Sequence, residues 1–197
     1  MAENKFTAEQ SLQLIGNMIN QAKGRFSENG HLYLLWGWAV LVCSLAHFIL
    51  MYYVKFEQHY IVWLAMWGVF VYQLVYLRKS KKKEKVKTYT DEIMAAVWIT
   101  FVVLMLLFGF LFGRLLGEEY YRFINPGFLA LYGMPTVISG TILRFRPLIL
   151  GGIFCWLLAL VSTVTAYPYQ LLLLGAAVIA AWIIPGYLLR NRYKNSN

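Results

Sequence analysis

A chain of 197 residues that is 60% hydrophobic and only 14% charged lies outside the range of soluble domains, which carry about 25% charged and roughly 45–50% apolar residues. Its net charge of +9 raises nucleic-acid binding as a possibility, but the basic residues are not interleaved with the stacking or base-reading side chains such a surface needs. Cys43 and Cys155 both fall inside apolar blocks, where they act as small apolar residues rather than as a disulfide framework or metal ligands.

In chain order, the first element is TAEQSLQLIGNMINQAKG (7–24). Thr7 and Gln10 form a capping-box pattern, and Leu12, Ile15, Met18, Ile19 and Ala22 recur at helical spacing with Gln13, Asn17, Asn20 and Gln21 turned away. An amphipathic helix on a membrane surface is expected here, with packing on the protein's own loops as the plainer alternative. A cleaved leader is not expected, because the first apolar block starts only at residue 32 and no small-residue cleavage site follows it.

Long uncharged blocks come next. Residues 32–54, 60–77, 93–113 and 123–143 contain no Asp, Glu, Lys or Arg, and 147–189 continues without them for 43 residues. A helix of ~20 residues crosses a bilayer core of roughly 30 Å, so the last block holds two spans, divided at TAYPYQ (165–170), where Pro168 suits a helix start. The fold expected is therefore all-α, a polytopic bundle of six transmembrane helices at about 32–54, 60–77, 93–113, 124–143, 147–166 and 169–189. It is organised as a tail with the amphipathic helix (1–30), a membrane domain (31–190) and a short tail (191–197). Asn125-Pro126-Gly127 is expected to open the fourth span, Arg146-Pro147 the fifth, and Thr90, Asp91 and Glu92 the third. Aromatic side chains near the predicted ends, among them Tyr33, Trp36, Trp38, Tyr52, Tyr53, Tyr60, Tyr167, Tyr169 and Tyr187, read as an interfacial belt.

Lys and Arg accumulate on the cytoplasmic side of membrane proteins. The tails and the second and fourth loops hold fifteen of them, against Lys55, Arg114 and Arg122 in the remaining loops. Both termini are thus expected in the cytoplasm. RKSKKKEKVK (78–87), with Arg78, Lys79, Lys81, Lys82, Lys83, Lys85 and Lys87, is read as a topology anchor that also contacts anionic lipid, at about 1 kcal/mol per residue near the surface.

Chemistry is sparse. All nine carboxylates fall in tails, loops or span ends, which argues against a carrier built on a buried acid, and no zinc, metal-phosphotransfer or other catalytic motif occurs. No catalytic residue, metal or cofactor is therefore assigned. His31 and His47 do not share a helix face, and His47 is expected to hydrogen-bond between helices. Arg114, Glu118 and Arg122 stand at i, i+4 and i+8, so a continued helix would carry an ion-pair ladder; with Glu119 they are the candidate outer-loop ligand or partner site. Gly109, Gly113 and Gly117 have small-residue spacing, for packing within the bundle or for homo-oligomer contact. Pro135 and Pro185 are expected to kink spans four and six, and His47, Pro135, Thr136, Ser139 and Pro185 are the candidate cavity lining.

EQSLQLIGNMINQAKGRFSENGHLYLLWGWAVLVCSL (9–45) resembles the opening of a family of small multi-span membrane proteins of unknown function from Gram-negative gut and environmental bacteria, and IIPGYLLR (183–190) is similar to how those proteins close. The resemblance carries no catalytic residues. Members encoded near small winged-helix transcription regulators would imply a regulatory or stress-linked role. The function expected is a non-enzymatic sensing, scaffolding or regulatory module with a basic cytoplasmic face. The alternatives are a small transporter or channel with its path near Pro135, Ser139 and Pro185, and an enzyme with a pocket at Glu118 and Glu119.

Overall fold

The structure, a computed structural model, describes residues 12, 13, 16, 30–81 and 89–194, with backbone only at 80, 81, 89–91, 118 and 193. Every described element is helical. Leu12, Gln13 and Gly16 are helical; the rest of the expected amphipathic helix lies outside the described residues, as do Lys82, Lys83, Lys85 and Lys87 of the lysine run.

Helix α1 (Gly30–Ile49) extends through a wide π turn, Leu50–Val54, and stops where Lys55 turns left-handed (φ 53°) and its N–H caps the Leu50 carbonyl. A 3₁₀ segment, His59–Leu64, leads into α2 (Ala65–Lys81). Next comes α3 (Tyr89–Leu115). The chain reverses at Gly117, whose φ of +52° suits a residue without a Cβ, and enters α4 (Tyr120–Ile142). Phe145 N–H reaches back 2.8 Å to the Gly140 carbonyl to close that helix. Helix α5 (Arg146–Thr163) starts with Pro147 in its first turn, where a missing N–H costs nothing. Pro168 serves α6 (Tyr167–Val178) in the same way. A second π turn, Ile179–Ile183, joins α6 to α7 (Ile184–Lys194). It stands just before Pro185, which cannot supply the next ladder donor.

Five of these stretches are long and apolar enough to cross a membrane: Gly30–Val54, His59–Lys79, Glu92–Leu115, Arg146–Thr163 and Tyr167–Arg192. Their bounds all fall within three residues of the expected spans, the largest offsets being the ends of the last two, at the turn of Val164–Ala166 and in the tail of α7. Helix α4 is present but is not among the five. It also corrects the expected start of the fourth span. Asn125-Pro126-Gly127 is not an N-cap, because Pro126 sits inside a helix that already began at Tyr120. Asn125 is instead a buried residue with a partner on α6.

The packed centre consists of α1, α4, α5 and α6–α7, with Leu129, Leu148, Leu171, Leu174 and Val178 fully buried. Tyr33 belongs to this core, edge-on to Trp98, rather than to an interfacial belt. By contrast α2 and α3 are peripheral, and turn Trp67, Leu106 and Phe110 outward at 65–66% exposure. Two large apolar helices with almost no buried face are what a hydrocarbon solvent tolerates and water does not. The end carrying Gly30, Arg144 and Lys194 is called basal below, and the end carrying His59, Gly117 and Tyr167 distal.

Candidate functional site along the seam of the first two helices

Because α2 buries little, it depends on a few polar contacts with α1. At the distal end the indole N–H of Trp63 donates to Nδ1 of His47 at 2.9 Å, and Nε2 of His47 lies 2.7 Å from Nδ1 of His59. An indole N–H can only donate, so Nδ1 of His47 accepts and the neutral ring carries its proton on Nε2. That proton points at His59 Nδ1, which leaves the His59 proton on Nε2 and gives the set one direction: Trp63 to His47 to His59. The two imidazoles stack at 4.7 Å, and Tyr167 closes the group edge-on. Below it the Cys43 thiol meets the Val62 carbonyl at 3.4 Å. Toward the basal end Trp36 donates to the Gln73 side-chain oxygen at 2.6 Å, and His31 lies 3.4 Å from the Tyr72 hydroxyl and against the ring of Tyr76.

Between these pins the helices do not meet closely. Ala39 and Ala65 are too small to fill the space, and an open groove of about 580 Å³ runs between α1, α2 and α7. Leu35, Trp38, Val42, Met66 and Val69 form its walls, and His31, Tyr187 and Arg190 surround its basal mouth. Tyr187 is held there by the Trp38 indole, 3.3 Å from its hydroxyl.

The expected site residues fall in three separate places. Pro135, Thr136, Ser139 and Pro185 are all buried. The Trp182 indole donates to the Thr136 hydroxyl at 3.0 Å, which in turn donates 2.7 Å to the Tyr132 carbonyl. His47 does belong between helices, but at the distal seam, roughly 20 Å along α6 from Trp182 at 1.5 Å per residue. In the outer loop the helix does not continue through Arg114, Glu118 and Arg122; it ends at Leu115 and reverses at Gly117, so the i, i+4, i+8 ladder does not form. Among the described side chains Arg114, Glu119 and Arg122 are exposed. Arg78 and Lys79 are exposed on the last turns of α2. Gly109 and Gly113 face only the Tyr120 ring, and nothing lies near Gly117.

His47 thus pairs with His59 and not with His31. The signal in the sequence is two histidines flanking one short loop at the ends of adjacent spans, a proximity that the angular spacing along a single helix does not encode. Among the described residues no three His, Cys, Asp or Glu side chains come together as a metal site.

If the Trp63 bond fixes the imidazole, Trp63→Phe should lower the thermal unfolding midpoint in detergent by roughly 2–6 °C. This corresponds to a buried acceptor losing its donor, at about 1–2 kcal/mol. An unchanged midpoint would mean that this bond does not anchor α2.

No protein-family model, curated protein or solved structure matches the chain.

Proposed function

We propose that the chain is an integral protein of the bacterial inner membrane with six spans and both termini in the cytoplasm. It acts as a non-enzymatic sensing, scaffolding or regulatory module through its basic cytoplasmic face. The observation that supports this reading is the distribution of exposure. Large apolar side chains cover the outside of α2 and α3, while Asn125 and Thr136 of α4 and Gln170 of α6 find partners inside. That inward pairing supports reading α4 as the sixth span, since polar groups partnered inside the bundle do not need lipid contact. Thr136, Ser139, Pro135 and Pro185, which would border a transport path, are packed away, and the carboxylates fall in tails, loops or the ends of apolar blocks. In this reading the basic face is formed by Arg78, Lys79, Arg144, Arg146 and Arg190, at or near the ends of α2, α4, α5 and α7.

Topology is tested by cysteine accessibility. With Cys43 and Cys155 replaced by alanine, Ser80→Cys should be labelled from the cytoplasm and Glu119→Cys from the opposite side. Reversal of either would overturn the orientation. Function is tested in liposomes, where a broad solute panel should give neither flux nor ligand-dependent stabilisation.

A second reading, a small transporter, draws on one observation. The Tyr33 and Ser139 hydroxyls lie beside each other in the core without closing a hydrogen bond, and such unpaired groups can mark a solute path. Solute flux abolished by Ser139→Val would favour it.

A further inference from the structure

We infer that the groove between α1, α2 and α7 binds one anionic phospholipid of the basal leaflet, its phosphate at Arg190 and an acyl chain along α1. The inference rests on the membrane reading above and adds a place and a ligand class to it. Three properties of the groove support it.

The first is length. The lining runs along α1 from His31 to Cys43, which at 1.5 Å per residue is ~18 Å. Half of a hydrocarbon core of roughly 30 Å is about the same, so the groove matches one leaflet and does not cross the bilayer.

The second is the order of chemistry along it. Below the mouth the walls are apolar side chains, with Val42 and Trp38 about half exposed. At the mouth stand a guanidinium, an imidazole and a phenol. An apolar channel ending in hydrogen-bond donors and a fixed cation is complementary to a lipid tail with a phosphate at its end.

The third is charge. Arg190 is exposed and has no carboxylate partner among the described residues. Arg78 and Lys79 stand in the last turns of α2, which meets His31 at the mouth through Tyr72 and Tyr76. A zwitterionic headgroup would bring its own cation into this field, so an anionic headgroup is preferred.

A second copy of the chain fits less well. A helix about 10 Å across and ~18 Å long fills well over ~1,000 Å³, more than the roughly 580 Å³ of the groove. The groove also persists for a structural reason: polar pins hold α2 at both ends while Ala39 and Ala65 leave its middle apart.

The test uses the full chain in a neutral detergent, with thermal unfolding followed on addition of phosphatidylglycerol or phosphatidylcholine at equal mole fraction. Saturating phosphatidylglycerol should raise the midpoint by about 5 °C or more, and phosphatidylcholine by less than half of that. Arg190→Gln should lose most of the difference, Arg190→Lys should keep part of it, and Ala39→Phe should abolish the response to both lipids. Combined Lys81→Gln, Lys82→Gln and Lys83→Gln should leave it intact. Should Ala39→Phe fail to fold, native mass spectrometry of lipid retained by the wild type, Arg190→Gln and Arg190→Lys gives the same comparison.

Equal responses to the two lipids, or an undiminished response in Arg190→Gln, would overturn the groove site. Loss of the response in the lysine variant alone would move the lipid to the 78–87 run. A detergent dimer dispersed by phosphatidylglycerol would give the groove to a second copy. Release of the protein from membranes by alkaline carbonate would instead sink the membrane reading, so the two failures are distinguishable.

Discussion

Gly152→Ala should destabilise the protein by about 2 kcal/mol, while Gly113→Ala should leave it unchanged or slightly more stable. Helix α5 runs between α4 and the α6–α7 helix, and its adjacent glycines face one neighbour each. A Cβ on Gly152 would stand 2.5 Å from Val137 Cγ2, 2.9 Å from the Gly133 carbonyl oxygen and 3.0 Å from the Val137 nitrogen. A Cβ on Gly151 would stand 2.6 Å from Ala181 Cα and 2.7 Å from the Ala180 carbonyl oxygen. Backbone atoms cannot rotate aside as a side chain can, so the helices must separate. Overpacking of this kind costs ~1–3 kcal/mol or more, partly offset by alanine's helix propensity of up to about 1 kcal/mol over glycine. At Gly113 the nearest atoms are Tyr120 ring carbons at 3.8 and 3.9 Å, so only the propensity gain remains. Thermal unfolding in detergent should then show a midpoint about 4–8 °C lower for Gly152→Ala and a difference near zero for Gly113→Ala. Equal shifts in both would mean that the tight α4–α5 contact is not what holds the centre together.

This contrast shows what kind of information the sequence carries. Hydropathy reads the solvent around a helix, so it located α2 and α3, whose outward faces are apolar. It also found the breaks at Pro147 and Pro168, because a proline in a first helical turn is a local signal. Helix α4 was harder to place. Its buried Asn125, Thr136 and Ser139 weaken its apolar signature because they face protein, and the same Asn-Pro-Gly that resembles a helix start is accommodated inside one. Small-residue spacing identified Gly109 and Gly113, which touch little, and passed over Gly151-Gly152. Two adjacent glycines point about 100° apart on a helix and form no i, i+4 pattern, yet they serve two different partners. The seam was illegible for a related reason. Its pairs, His47 with His59 and Trp36 with Gln73, join separate helices, and no periodicity within one helix encodes which residue stands opposite on another.

Replacing Gln170 should be the most damaging polar substitution in the chain. Its side chain is fully buried, and both of its amide donors are used: one meets the Ser162 carbonyl and one the Thr165 carbonyl, each at 3.0 Å. Its oxygen accepts from Asn125 at 3.4 Å. One side chain thus ties the frayed C-terminal turn of α5 to the start of α6 and to α4, where helix ends always leave carbonyls without ladder partners. Gln170→Leu keeps most of the volume but strands the Thr165 carbonyl and the Asn125 amide. At about 1–3 kcal/mol for each stranded group, a loss of roughly 2–4 kcal/mol is expected, and Asn125→Leu added to it should cost less than it does alone, because the amide is then already unpaired. Gln170→Glu separates geometry from hydrogen bonding, because a carboxyl of the same shape cannot donate to both the Ser162 and the Thr165 carbonyl. Its unfolding midpoint in detergent should therefore fall well below that of the wild type, by an amount comparable to Gln170→Leu. Equal midpoints for Gln170→Glu and the wild type would mean that this side chain sits in water rather than between the helix ends.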